Sequence, residues 1–197
     1  MFKKIKSLWN KAENWQGIIT FMLVLFTANA VWKISISGDE GNNQVLLFTS
    51  IDIAAPFDFM VVHIASVVKT ILTALGYEVH QHYANDICFA NHNALLVVWG
   101  CSAIKQAFIF FCIMIFAQGP RKQKIWFVPL GILIVYLFNI FRIVVIAMII
   151  KNNKELFYLF HEIIMKYLFY GVIFLYWLWW EEKFNRKKRL IINTKEA

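Results

Sequence analysis

The chain has 197 residues, 60% of them hydrophobic and 17% aromatic, and a formal net charge of +8. Its apolar runs exceed what a soluble domain of this size carries, so composition points to an integral membrane protein with a single helical domain. Of the 20 basic residues, 12 fall in three blocks, at Lys3 to Lys11, Arg121 to Lys124 and Lys183 to Arg189. That grouping is the signature of positive-inside topology and argues against nucleic-acid binding.

Residues 1–14 form a basic, partly amphipathic start assigned to the cytoplasm. Trp15 to Ile36 reads as the first span, with Trp15 and Trp32 as interface anchors. It ends in no small-residue cleavage site and is expected to be retained. The segment from Ser37 to Pro56 is polar and turn-rich, without lysine or arginine, which suits the outer side.

From Phe57 to Leu75 apolar residues recur at Phe57, Val61, Ile64, Val68, Ile71 and Leu75, a helical stripe diluted by Asp58, His63, Ser66, Lys69 and Thr73. Crossings by the first span, a span ending near Phe116, the next helix and a last span place all three basic blocks on one side. A further crossing would break that agreement, so the Phe57 helix is expected to be interfacial or re-entrant on the outer face. Gly76 to Asn93 follows. Ile87 to Phe89 and Leu95 to Trp99 flank an Asn91-His92-Asn93 turn and predict a small extracytoplasmic β-hairpin. Ser102 to Phe116 continues as an apolar helix that stops at Gly119-Pro120.

Ile125 to Ile150 carries one charge, Arg142. At ~1.5 Å per residue it covers about 39 Å, more than a bilayer's hydrocarbon core of ~30 Å. An arginine there costs at least ~2.5–3.5 kcal/mol and must face protein, a cavity or an anion. Asn139 shares its helix face. Lys151 to Asn153 turns the chain, with Asn152 and Glu155 spaced as a helix cap. The last helix runs to Trp180, where Trp177, Trp179 and Trp180 form an inner aromatic belt. The expected fold is an all-α polytopic membrane protein: about four to five transmembrane helices, an outer-face helix and the small β-hairpin.

Arg142 precedes Ile150 by about as much as His161 follows Asn153. In an antiparallel pair both lie about 12 Å from the turn, so they sit level. Cys101 follows Gly100 and heads a helix descending from the same side, with Lys105 one turn on. A cysteine at a helix start, with a cation nearby, favours the thiolate. Thiol, imidazole and guanidinium suit nucleophilic attack, proton transfer and oxyanion stabilisation. Two other readings use the same residues. Asn139, Arg142 and Lys166 could line an anion path, or the polar groups could merely pair helices in an assembly subunit. Cys88 suits a strand residue and Cys112 an apolar helix face. His80, His82 and His92 lack the spacing of a metal site, and no metal or cofactor is expected.

Three segments, GCSAIKQ at 100–106, NIFR at 139–142 and FHE at 160–162, resemble the exosortase/archaeosortase family. The likeness covers about residues 55–180, with 181–197 as a basic cytoplasmic tail. It implies a polytopic cysteine peptidase or transpeptidase in the cytoplasmic (inner) membrane, with both termini inside and its active site facing outward. The implied partners are exported proteins with a C-terminal tail of motif, transmembrane stretch and basic end. A glycan or lipid amine would be the acceptor. By the same resemblance Cys101 is the nucleophile, Arg142 the substrate-orienting cation and His161 the general base and acid. Asn139, Ser102 and Lys105 support them. The family's glycine after Cys-Ser is Ala103 here, and the chain resembles the compact bacterial branch.

Overall fold

A computed structural model describes residues 2–39, 44–48, 50–153 and 155–186. Helix α1 (Phe2–Ser35) leads into three short strands, β1 (Ile36–Asp39), β2 (Gln44–Leu47) and β3 (Ile51–Asp52). Helix α2 (Ala54–Ala74) follows, then β4 (Val79–His80), β5 (Asp86–Phe89) and β6 (Ala94–Leu96). A 3-10 turn at Trp99–Cys101 precedes α3 (Ile104–Phe116) and α4 (Arg121–Asn152). The last helix, Leu156–Asn185, is long and apolar enough to cross a membrane. So are Gln16–Ser35, α2 and α4, while α3 is a shorter apolar helix.

Both groups of strands form antiparallel three-stranded sheets, in the orders β1-β2-β3 and β4-β5-β6. In the second, Ile87 faces Leu95 and Cys88 faces Ala94, on either side of the Asn91-His92-Asn93 turn. The hairpin expected there therefore gains a third strand, β4. The first sheet is a departure from the loop expected at Ser37 to Pro56. Its strands are too short for apolar alternation to register in the sequence.

Helix α4 has 32 residues and is the spine. At ~1.5 Å per residue it is about 48 Å long. Its two halves belong to different cores. At the Asn152 end, Ile140, Ile143, Val144, Ile146 and Ala147 pack with α2 and the second sheet. At the Arg121 end, Phe127 and Val135 pack with α1, α3 and the last helix. Cys101 belongs to the first core and Ala103 to the second, so the two cores meet at the turn before α3.

The buried face of α2 includes Phe57, Val61, Ile64, Val68 and Leu72, close to the stripe expected from the sequence. Five of its residues (Val61, Ile64, Ala65, Val68, Leu72) lie in the core at the Asn152 end. None lies in the core at the Arg121 end. The helix is thus long enough to span but packs against only one half of the spine.

Polar groups fix the ends of α4. Asn93 Nδ2 donates to the Ile150 carbonyl at 2.9 Å and Asn91 Nδ2 to the Lys151 carbonyl at 2.8 Å, satisfying carbonyls the helix leaves open. Lys151 Nζ lies 4.2 Å from the Tyr77 ring centroid. At the other end Lys124 Nζ reaches the Ala117 carbonyl at 2.6 Å, closing α3 onto α4. Midway, Gly131 lets α4 approach its neighbours: a Cβ there would stand 2.2 Å from Phe110 Cζ. Asn152 does not cap the last helix: the cap position is Glu155, and the side-chain contact at the turn is Asn153 Oδ1 accepting from Glu155 N at 2.9 Å.

Candidate active site

The Trp99–Cys101 turn is held from within by Cys101 N donating to the Val98 carbonyl at 2.7 Å and Ser102 N to the Trp99 carbonyl at 3.0 Å. Two residues on, Ala103 has φ 62°, the left-handed conformation that L side chains disfavour and glycine accepts readily. The departure from the Cys-Ser-Gly pattern therefore falls where the backbone itself calls for glycine. The kink separates Cys101 from α3, which starts at Ile104. The thiol is not at the helix start expected for it. Ser102 is 2% exposed, and its Oγ accepts from Ile104 N at 3.4 Å.

Asn139 and Arg142 project from α4 toward this turn. Asn139 is fully buried and its Nδ2 donates to the Cys101 carbonyl at 2.6 Å. Arg142 is 7% exposed, as is Cys101. Arg142 Nη2 lies 3.2 Å from His161 Nε2. The same Nε2 is 3.9 Å from Cys101 Sγ. A guanidinium can only donate, so Nε2 accepts from Arg142. The imidazole at this position is then a base with its lone pair directed between a cation and a thiol.

His161 lies in a π-helical segment, Leu159–Ile164, set between two α-helical stretches of the last helix. A widened turn shifts the phase of every residue beyond it, and such turns are frequent at functional sites. The ring of Phe157 stacks on His161, with centroids 5.0 Å apart and 23° between planes. Among the described residues, two buried polar atoms at the site have no hydrogen-bond partner, Arg142 Nε and Asn139 Oδ1.

Other candidates sit elsewhere. Lys105 is within electrostatic reach of Lys166 and Lys33, so its neighbours are cations on the last helix and α1. Lys166, expected near Asn139, is an exposed residue of the last helix. Cys88 lies on β5, and its thiol donates to Asp86 Oδ2 at 3.5 Å. Burial first, and then the Asp86 carboxylate, hold that thiol above its ordinary range. Buried Asp86 also accepts from the backbone N–H groups of His82 and Tyr83, at 2.9 and 3.1 Å. Two polar links escaped sequence reasoning. Trp99 Nε1 donates to Asp58 Oδ1 at 2.7 Å, and His63 Nε2 meets Tyr136 Oη at 2.8 Å. Their only sequence signal was a polar residue interrupting the α2 stripe.

No curated protein and no solved structure matches the chain. A family model described as transmembrane exosortase (Exosortase_EpsH) matches residues 44–179. That span takes in β2 and β3 of the first sheet, the whole second sheet, α2, α3, α4 and most of the last helix, and it contains Cys101, Asn139, Arg142 and His161. The chain therefore belongs to the transmembrane exosortases, a family of membrane-embedded sorting enzymes.

Proposed function

We propose that this protein is a cysteine peptidase or transpeptidase that removes the C-terminal sorting tail of exported proteins, with the Asn152 end of α4 facing outward. The observation that carries this reading is one atom's position: His161 Nε2 is 3.9 Å from Cys101 Sγ and 3.2 Å from Arg142 Nη2. Cys101 supplies the nucleophile and His161 accepts its proton. The sulfur adds to the scissile carbonyl. Arg142 holds the negative charge that develops on sulfur and oxygen. Its Nε, buried without a partner among the described residues, is a donor for an incoming carbonyl or carboxylate. An unused buried donor costs about 1–3 kcal/mol, which substrate contact would recover.

On collapse of the adduct the C–N bond breaks. His161 returns its proton to the leaving amine of the tail, and a thioester joins Cys101 to the exported protein. Water, or an amine on a glycan or lipid, then attacks the thioester and releases the thiol. Asn139 contributes by fixing the Cys101 carbonyl.

The test is reconstitution in liposomes with an exported protein that carries such a tail. Tail removal is expected from the unaltered chain and not from Cys101→Ala. Hydroxylamine is expected to release a covalent adduct from the former alone. Undiminished processing by Cys101→Ala would overturn the proposal.

A further inference from the structure

The turn that carries Cys101 is held between two helices. On the α4 side Asn139 Nδ2 grips the Cys101 carbonyl at 2.6 Å. On the α2 side the grip is Trp99 Nε1 on Asp58 Oδ1 at 2.7 Å. Asp58 is exposed and lies just past the first turn of α2, one residue beyond buried Phe57. A second link, His63 Nε2 to Tyr136 Oη at 2.8 Å, ties α2 to α4 just before Asn139 on the spine. Flanking these, Asn85 and Val97 exchange hydrogen bonds of 2.8 and 3.3 Å that fix the strand leading into the turn.

A 3-10 turn has poor internal hydrogen-bond geometry and does not hold its shape alone. The first residue after Cys101-Ser102 is the left-handed Ala103, so α3 cannot extend its own regular ladder back to the thiol. The orientation of the sulfur toward His161 therefore depends on outside restraints. Of these the Asp58 to Trp99 bond has an ionisable acceptor, and charge-assisted hydrogen bonds are the stronger kind.

We infer that Asp58 is a positioning residue: acting through the Trp99 indole, it sets the Cys101 turn so that the sulfur faces His161. This rests on the reading of Cys101 as nucleophile. Asp58 touches neither the thiol nor the imidazole in this role. The indole is the lever between Asp58 and the turn, and the hydrogen bond transmits the restraint. An asparagine at position 58 keeps an acceptor oxygen and keeps the restraint.

Reactivity of the thiol reads this without any substrate. The full chain carrying Cys88→Ser and Cys112→Ala leaves Cys101 as the single alkylation target. Its rate with iodoacetamide is followed against pH in detergent and in liposomes. Asp58→Leu and Trp99→Phe are expected to move the midpoint of that profile toward the profile of the same chain carrying His161→Gln, and to slow tail processing at least tenfold in kcat with little change in KM. Asp58→Asn is expected to restore the unaltered profile and most of the kcat. Asp58→Leu combined with Trp99→Phe is expected to be no worse than either alone, because both break one bond.

An unaltered alkylation profile in both Asp58→Leu and Trp99→Phe overturns the inference. So does an Asp58→Asn variant as impaired as Asp58→Leu. Failure of the proposed function looks different: Cys101→Ala would still process substrate, whatever the alkylation profiles show.

Discussion

Asn139 and the backbone of Cys101 are joined side chain to main chain, Nδ2 to carbonyl oxygen at 2.6 Å, in a site where Asn139 has no solvent exposure. Replacing Asn139 with leucine keeps the volume and removes the donor. The Cys101 carbonyl then loses this buried donor, at a cost of about 0.5–1.5 kcal/mol. Asn139→Leu is expected to lower the thermal midpoint in detergent and to slow tail processing by roughly tenfold or more. A variant with unchanged midpoint and unchanged rate contradicts the role given to this bond.

Arg142 and His161 separate by the kind of loss each produces. On the proposed mechanism His161→Gln removes proton transfer and is expected to cost about 10²–10⁴-fold in kcat. Arg142→Gln removes charge stabilisation, about 10²–10³-fold. Arg142→Lys keeps the charge but loses the planar fork that reaches Nε2, and is expected to recover only part of the loss. Because the two side chains act on one thiol, Arg142→Gln with His161→Gln should fall well short of the product of the single effects. Single-turnover kinetics measure this, and independent multiplicative losses would separate the two residues functionally.

Ala103 tests the balance of three small terms. Its left-handed conformation costs about 1–2 kcal/mol for an L residue. Glycine relieves that, but gives up about 0.8 kcal/mol of buried methyl and about 0.4–1 kcal/mol in unfolded-chain entropy. Ala103→Gly is therefore expected to leave the thermal midpoint nearly unchanged and activity intact. Ala103→Val places a β-branched residue at φ 62° and is expected to lower both sharply. Equal behaviour of the two variants would mean that the turn does not need this backbone angle.

Gly131 gives a packing prediction far from the chemistry. A methyl there would sit 2.2 Å from Phe110 Cζ and 2.7 Å from Tyr176 Cε1. Overpacking of this kind costs about 1–3 kcal/mol. Gly131→Ala should lower the thermal midpoint, and Phe110→Leu in the same chain should recover part of it. A midpoint that does not move refutes the close approach of α4 to α3.

Cys88 carries a pH prediction. Its thiol is raised first by burial and then by Asp86, so the neutral form is favoured in the folded hairpin. The stabilisation is complete below the thiol's unfolded pKa. It is lost as pH rises through the higher folded value. Alkylation of Cys88, in a chain with Cys101→Ala and Cys112→Ala, is expected to reach half its limiting rate at a higher pH than a free peptide thiol. Asp86→Asn removes the charge and should bring the midpoint part of the way back. A midpoint at or below that of the free thiol would contradict the environment described for β5.

Much of the site was readable because its geometry follows from length. Arg142 and His161 flank a tight turn at nearly equal distances, and a helical pair puts such residues at one level. Lateral phase was not readable. Lys105 follows Cys101 by one turn, yet its charged neighbours are Lys33 and Lys166. The break at Ala103 rotates α3 relative to the thiol, and no propensity announces an alanine at positive φ. The first sheet was missed for a similar reason, since two- and four-residue strands carry almost no periodicity. The α2 stripe was legible. The part played by the polar residues interrupting it was not, since a hydrogen bond such as that from Trp99 to Asp58 leaves no pattern in the chain.

The widened turn at Leu159–Ile164 makes the last helix two screws joined out of step. Side chains past Met165 answer to the aromatic core around Trp177 and Trp180, whereas Phe157 before the junction and His161 within it answer to the spine. Removing a single residue from the junction would turn one piece by about 100° against the other, so that no setting of the helix could serve both cores at once. Which side chain meets the sulfur is thus a matter of counting along the helix as much as of composition.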